Sequence, residues 1–379
     1  MLTIEQVDVK AKDQVDQFIR LPFRLFANHS QWVPQIIGDI RLMLNPEKHP
    51  YYEHSPADFF VAKRDGQVVG RIAALENRPF NKYHGTQDAE FYLFETEDDQ
   101  EVASALFNRV FEWTHQRGLN HVVGPKGFSP FDGYGLQIEG FDHRCMMTMM
   151  NYNYSYYIKL VETVGFTKAV DFVSCYIRRD DFIIPEKVKK AAEIVKRRGT
   201  FEVLKFKDKK DLKRWAKAVG EAYNKTFVNN WEYYPLTERE VKFSLDNIMT
   251  IADPKLMKAI MHKGEIVGFL FAFPDISAAL QRARGHIYDP INPIALADIL
   301  IELKRTKWVS FNGVGVLPEY QGLGGNALLY DEMQKTVVDS SFEHAELTQM
   351  AETAIQIRKD IITLGSRPYK NHRVFQIQI

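Results

Sequence analysis

With 379 residues, 45% of them hydrophobic and 13% aromatic, the chain is too long for one core and too apolar to stay unfolded, so two ordered domains are expected. Lys plus Arg equals Asp plus Glu at 49 each, which excludes a global field drawing the protein to nucleic acid or to an anionic membrane; neither partner is expected. Cys145 and Cys175 sit among apolar residues outside any CxxC or disulfide spacing, and the histidines show no ligand spacing. With no basic-then-apolar leader and no membrane-length apolar run, a cytoplasmic protein without a metal site is expected.

Residues 59 to 75 read as two strands of β-branched and aromatic residues joined through Asp65-Gly66. The carboxylate-rich stretch Glu95 to Glu101 then leads into a helix through Trp113, and Met146 to Met150 reads as a buried strand. Asn151 to Tyr157 opens the last helix of this half, its tyrosines read as packing groups, and that helix ends at Gly165. A polar stretch, Arg178 to Asp181, precedes Pro185 and a charged helix, Glu186 to Arg198. Such a junction suits a boundary, giving domains 1–182 and 183–379.

The second half is expected to run through a strand at 201–206, a helix from Lys210 to Thr226 and a helix from Thr237, whose Thr-x-x-Glu240 spacing is a capping box. A hairpin at 257–273 follows, then an insertion from Asp275 to Lys307 containing the amphipathic stretch Ile294 to Arg305. A strand from Trp308, a glycine-rich turn, a helix at 326–338, a strand at 343–349, a helix at 352–363 and a strand from Tyr369 complete it. Gly66 and Gly264 stand 198 residues apart, as do Gly70 and Gly268, and Gly165 and Gly365 stand 200 apart. Three landmarks at a nearly constant offset indicate two copies of one α/β architecture built on mixed sheets.

Most informative is the segment from Val314 to Tyr330, in which an apolar strand enters Gln321-Gly322-Leu323-Gly324-Gly325-Asn326 and passes straight into a helix. Such a turn aims successive N–H groups at one point, where the helix N-terminus adds positive partial charge, so it suits a diphosphate. Gly-Lys-Ser/Thr is missing after Gly325, which excludes a P-loop. The glycines at 313 and 315 lie inside the strand before Pro318, which excludes a dinucleotide fingerprint.

The segment resembles motif A of the GNAT acyltransferases, Gln/Arg-x-x-Gly-x-Gly/Ala, with Gln321, Gly324 and Asn326 at the patterned positions and Asn326 departing from the small residue. The resemblance covers the second half and, more faintly, the first, and implies two tandem GNAT-like acyl-CoA N-acyltransferase folds. It implies acetyl-CoA or a longer acyl-CoA as co-substrate, with Val314 and Val316 along pantetheine and residues 321–326 at the phosphates. In the first half, Glu95 to Glu101 place carboxylates where a diphosphate would lie, so that copy is expected to be structural or to wall the acceptor pocket.

Transfer to an amine needs a group to take a proton. Glu319 beside the turn and Glu346 on the next strand are the candidate bases. The tyrosine and asparagine common in the family are replaced by Ile361 and Ala354, leaving Tyr330 and Tyr369 as candidate acids. Trp231, Glu232, Tyr233 and Tyr234 lie where the resemblance places an amine acceptor, a small molecule or a peptide. The expected activity is N-acyl transfer by direct attack. A non-catalytic acyl-CoA or partner-binding protein is the alternative, and an aminoacyl-tRNA-dependent transferase a weaker one, because no basic surface is evident.

Overall fold

The structure, a computed structural model, describes residues 1–146, 150–288 and 290–379. The chain folds as two compact units, one formed by residues 1–173, 277–300 and 370–379, the other by 174–276 and 301–369. A single cut at residue 182 does not express this division, because two later segments return to unit 1.

In chain order the elements are β1 (Leu2–Gln6), α1 (Lys12–Leu25), α2 (Ile37–Met43), β2 (Ala57–Arg64), β3 (Gln67–Leu75), α3 (Arg78–His84), β4 (Asp88–Thr96), α4 (Gln100–His115), β5 (His121–Gly124), β6 (Leu136–Glu139), α5 (Tyr156–Val164) and β7 (Thr167–Arg178). There follow α6 (Glu186–Arg198), β8 (Glu202–Leu204), α7 (Lys209–Arg214), α8 (Ala216–Thr226), α9 (Glu238–Ile248), β9 (Met257–His262), β10 (Glu265–Pro274), α10 (Ser277–Ala283) and α11 (Pro293–Arg305). The chain ends with β11 (Trp308–Val316), α12 (Gly325–Val338), β12 (His344–Ala351), α13 (Ile355–Thr363) and β13 (Arg367–Gln378). No helix among the described residues is long and apolar enough to cross a membrane.

In unit 1, β1 to β4 form an antiparallel meander, β4 pairs parallel with β5, and the end of β13 pairs antiparallel with β5 through Phe375 and Gly124. Alternate residues of β2 feed two cores. Phe60 and Ala62 pack with Leu106, Phe107 and Trp113 of α4, while Phe59 and Val61 pack with Phe18 and Ile19 of α1. Both faces of the sheet are therefore covered, which the unbroken apolar run of these strands requires.

In unit 2, β8 to β11 are antiparallel and β11 pairs parallel with β12. One face of this sheet carries α12 and α6, through Ile260, Leu270, Val316, Leu328 and Val195. On the other face Phe227, at the end of α8, meets Phe269 edge-on at 5.7 Å. The hairpins of the two copies turn alike, with Asp65 and Gly66 at φ 50° and 82° and Lys263 and Gly264 at 50° and 86°. These are the left-handed residues that a two-residue turn between twisted strands demands.

The helix expected from Lys210 to Thr226 is broken at Trp215 into α7 and α8, and the insertion carries two helices. The expected strand at Met146 to Met150 falls on residues 147–149, outside those described; Met146 and Met150 themselves are buried outside any strand. Both cysteines are buried, and burial pushes the Cys175 thiol up to about 11.

His372 is buried completely in unit 1. Its Nε2–H donates to the Asn151 carbonyl at 3.0 Å, its Nδ1 is buried without a partner among the described residues, and burial drives its pKa down to about 3. Unfolded, it would titrate near pH 6.5. Below that pH the unfolded chain takes up a proton that the native chain refuses, so stability falls with acidification by on the order of 1 kcal/mol per pH unit. Asp39 and Asp132, which burial raises to about 7 and about 6, act with the opposite sign in the same window, so a difference between two proteins isolates the histidine. Thermal melts at pH 7 and pH 5 should show a smaller loss of stability for His372→Gln than for the wild type; equal losses would contradict this.

Candidate acyl-transfer site

Strand β11 starts paired to β12, with Trp308 opposite His344 and Ser310 opposite Glu346, but the ladder ends at Phe311 and Leu347 although both strands continue. Against β10, the register slips so that Phe271 faces Gly313 and Ala272 faces Phe311, leaving Asn312 as a bulge. Asn312 Nδ2 donates to Thr348 Oγ1 at 3.0 Å, and the Thr348 hydroxyl donates to the Phe311 carbonyl at 3.1 Å. Side chains thus close the ladder where the backbones part. Beyond them, β11 has no strand partner on its β12 side among the described residues, and a Cβ on Gly313 would meet open space.

Past the parting, Leu317 is tied back to β10 through the Val267 carbonyl at 2.9 Å, and a short 3-10 turn, Pro318–Tyr320, leads into Gln321 to Gly324. Gly322 and Gly324 stand at φ 75° and 85°, a region side-chain-bearing residues adopt at a cost. Gly324 is also the N-cap of α12 and supplies no side-chain cap. None of the N–H groups from Gly322 to Ala327 donates to the protein among the described residues. Six successive N–H groups are therefore left without a protein acceptor at one helix start among the described residues. Gln321 turns aside instead, its Nε2 donating to the Val316 carbonyl at 3.1 Å, so it closes the turn rather than facing a ligand.

Leu323 is half exposed, and Gly324 lies against α6, where a Cβ would come within 2.7 Å of Val195. Asn326, in place of the motif's small residue, has its carboxamide oxygen buried without a partner among the described residues. Val314 and Val316 turn their side chains into the core shared with α12, so what they offer the gap is main chain. Gly315 lacks a Cβ because the Thr226 methyl of α8 occupies that place.

At the apex of the gap, Glu346 is fully buried on β12, and the Tyr369 hydroxyl donates to its Oε2. The Tyr369 ring lies 5.8 Å from that of Tyr176, whose hydroxyl bonds His344 Nδ1 at 2.7 Å, and His344 stacks on Trp308 at 4.6 Å. The structure therefore unites Glu346 and Tyr369. It sets Glu319 apart, exposed on the 3-10 turn beyond Val316, roughly 20 Å along the strand from Ser310 at 3.3 Å per residue. Tyr330 is buried on α12 with its hydroxyl donating to Asp360 Oδ2 at 3.4 Å, and burial holds its pKa well above the ordinary value. Its hydroxyl is thus engaged within α12 and α13 of unit 2. Ile361 is buried on α13.

Of the expected acceptor residues, Tyr233 and Tyr234 are buried and Trp231 and Glu232 half-buried in the loop between α8 and α9. The Tyr233 hydroxyl donates to the Asn224 carbonyl at 2.6 Å, and Asn230 Nδ2 to Glu232 Oε1 at 3.1 Å. Sequence reasoning missed Gly313, Asn312, Thr348 and the Tyr176–His344 pair. The alternation Gly313-Val-Gly315 inside a strand was a signal for the first, while the others depend on long-range pairing.

Unit 1 repeats the frame with the opposite outcome. Its β4 to β5 ladder also stops early, at Glu90 and Val123. There the Thr96 N–H donates to Tyr157 and its carbonyl accepts from Tyr156, so tyrosines occupy the main chain beyond the ladder. Asp99 caps α4, accepting from Glu101 N at 2.9 Å and Val102 N at 3.2 Å, and is held by Arg64 at 2.6 Å. Its helix start is already satisfied.

This parted-strand geometry, present twice, is the fold of tandem GNAT proteins. Over its whole length the chain superposes on a tandem GNAT protein from the clavulanic acid biosynthesis pathway, with a TM-score of 0.56 at 11% identity and 98% of that chain covered. In sequence it is 26% identical over 377 residues to the bacterial ceramide synthase of Caulobacter vibrioides, spanning 98% of this chain and 96% of that protein. It is 24% identical over 377 residues to protein YghO of Escherichia coli, spanning 97% and 94%. No family model matches the chain. Among the described residues, no group of three or more His, Cys, Asp or Glu side chains could hold a metal ion.

Proposed function

We propose that the protein is an acyl-CoA-dependent N-acyltransferase in which unit 2 performs the transfer and unit 1 binds no CoA. The observation that carries this reading is the row of unpartnered amides from Gly322 to Ala327 beside the parted strands, against the Asp99-capped counterpart in unit 1. The amides would hold the diphosphate, with the helix start adding favourable charge, and the open edge of β11 from Gly313 to Val316 would receive the pantetheine arm. Acyl-CoA, when bound there, supplies the thioester carbonyl for attack.

Glu346 and Tyr369 are the proton-handling pair. The Tyr369 O–H donates to Glu346, so its oxygen would accept a proton from an attacking amine while its own passes to the carboxylate. As the C–N bond forms and the C–S bond breaks, the same pair can return a proton to the departing thiolate. Likeness to the bacterial ceramide synthase supports a longer acyl chain and a lipid amine as acceptor. Ile361, where the resemblance to the family would place a tyrosine acid, favours the non-catalytic alternative, and activity decides between them.

Gly322→Asp is the cleaner probe of the cradle, since its Cβ meets nothing within 4 Å and Asp tolerates a positive φ. Calorimetry should show CoA binding weakened at least about tenfold, roughly 1.4 kcal/mol, with Gly322→Asn near wild type. Unchanged binding in the Asp variant would remove the cradle from the account. For Glu346→Gln, thiol release from acyl-CoA with an amine panel should fall by roughly 10²-fold or more at unchanged CoA affinity. Full activity in that variant, or no amine-dependent release in the wild type, would refute the catalytic reading.

A further inference from the structure

Unit 2 contains a cavity of about 370 Å³ between α8 and α9, floored by β9 and β10, that the diphosphate and proton-transfer groups leave unused. Its walls are apolar, with Val219, Leu236, Val241, Leu245, Ile248 and Phe271 contributing. The helices meet at Gly220, where a Cβ would overlap Val241, so this contact fixes their crossing. Asn224 fastens the connecting loop by accepting from Leu236 N and donating to the Leu236 carbonyl, both at 3.0 Å. The space is thus built into the packing of the unit.

Helix α9 contributes an apolar stripe to this space. Val241, Leu245 and Ile248 recur at the spacing of one helical face, yet each is only half-buried, while Glu240 is buried as the capping-box partner of Thr237. An apolar stripe facing a void of ligand size lacks an occupant. The charges at the rim are spent on one another, Lys213 and Lys242 on Asp246 at 3.0 and 2.6 Å and Lys217 on Glu238 at 3.8 Å. A polar-rimmed apolar chamber of this kind selects by length and apolarity rather than by hydrogen bonding.

Its floor borders the strand that parts from β12. Phe271 lines the chamber and pairs in register with Gly313, beside the bulge where β11 leaves β12. Resting on the reading of unit 2 as an acyltransferase, we propose that the α8–α9 chamber receives an unbranched alkyl chain of one reactant. Either the acyl chain of the thioester or the tail of a lipid amine carries that chemistry.

The test uses the full chain and two ligand series: saturated acyl-CoAs from acetyl to palmitoyl measured by calorimetry, and 1-aminoalkanes of increasing length measured by KM with acetyl-CoA. In one series affinity should rise about three- to fourfold per added methylene until the chamber is full, and that series identifies the source. Leu245→Trp, and independently the milder Val241→Phe, should flatten the length dependence while leaving the affinity for CoA itself unchanged. Mapping a diazirine-bearing palmitoyl-CoA after photolysis gives a readout without substitution, with labels expected on α8 and α9. No length dependence in either series, persistence of it in the filled variants, or labels elsewhere in the chain would overturn the proposal. Loss of binding to CoA itself would instead count against the transferase reading.

Discussion

The first amide hydrogens of a helix have no partners within it, and how each helix of this chain answers that demand sets what its surroundings can do. Asn77, Asp99, Asp208 and Thr237 cap α3, α4, α7 and α9 with their own side chains. Helix α12 begins at a left-handed glycine that offers no cap, after a turn whose other glycine is also left-handed. Its donors have no acceptor among the described residues, and because they belong to the main chain their direction is fixed by the fold. A charge that must be bound without reorganisation calls for this kind of preset array.

The same frame appears in both units and is used in opposite ways. Each has a hairpin turned by two left-handed residues, a register slip beside the fourth strand and a parallel ladder that ends early. In unit 1 the space is consumed by Tyr156 and Tyr157, and the helix start by Asp99. In unit 2 small residues keep it open, and the hydrogen-bonded pair Glu346 and Tyr369 marks its apex. The two helix starts differ at the N-cap itself, where α4 has the carboxylate of Asp99 and α12 has Gly324.

What the sequence made legible follows from locality. The hairpins, the capping box at Thr237, the glycine turn and the uncongenial carboxylates of the first half are each defined by a few adjacent residues, and each is found where those residues stand. Side chains brought together by pairing across hundreds of residues were not legible. Tyr176 and His344 meet only because distant strands align, and the return of residues 370–379 to unit 1 leaves no local trace. Glu319 and Glu346 looked equivalent as carboxylates near the motif, and only the register of β11 with β12 separates them. The break at Trp215 and the chamber under α9 depend likewise on how helices cross.

Selective ¹⁵N-glycine labelling reads the central claim at the donors themselves. On titration with CoA, the amide resonances of Gly322, Gly324 and Gly325 should move together and saturate, the signature of N–H groups donating to an anion, while Gly118 and Gly165 of unit 1 stay in place. If CoA binds with those three resonances unmoved, the cradle lies elsewhere and the account of unit 2 is wrong.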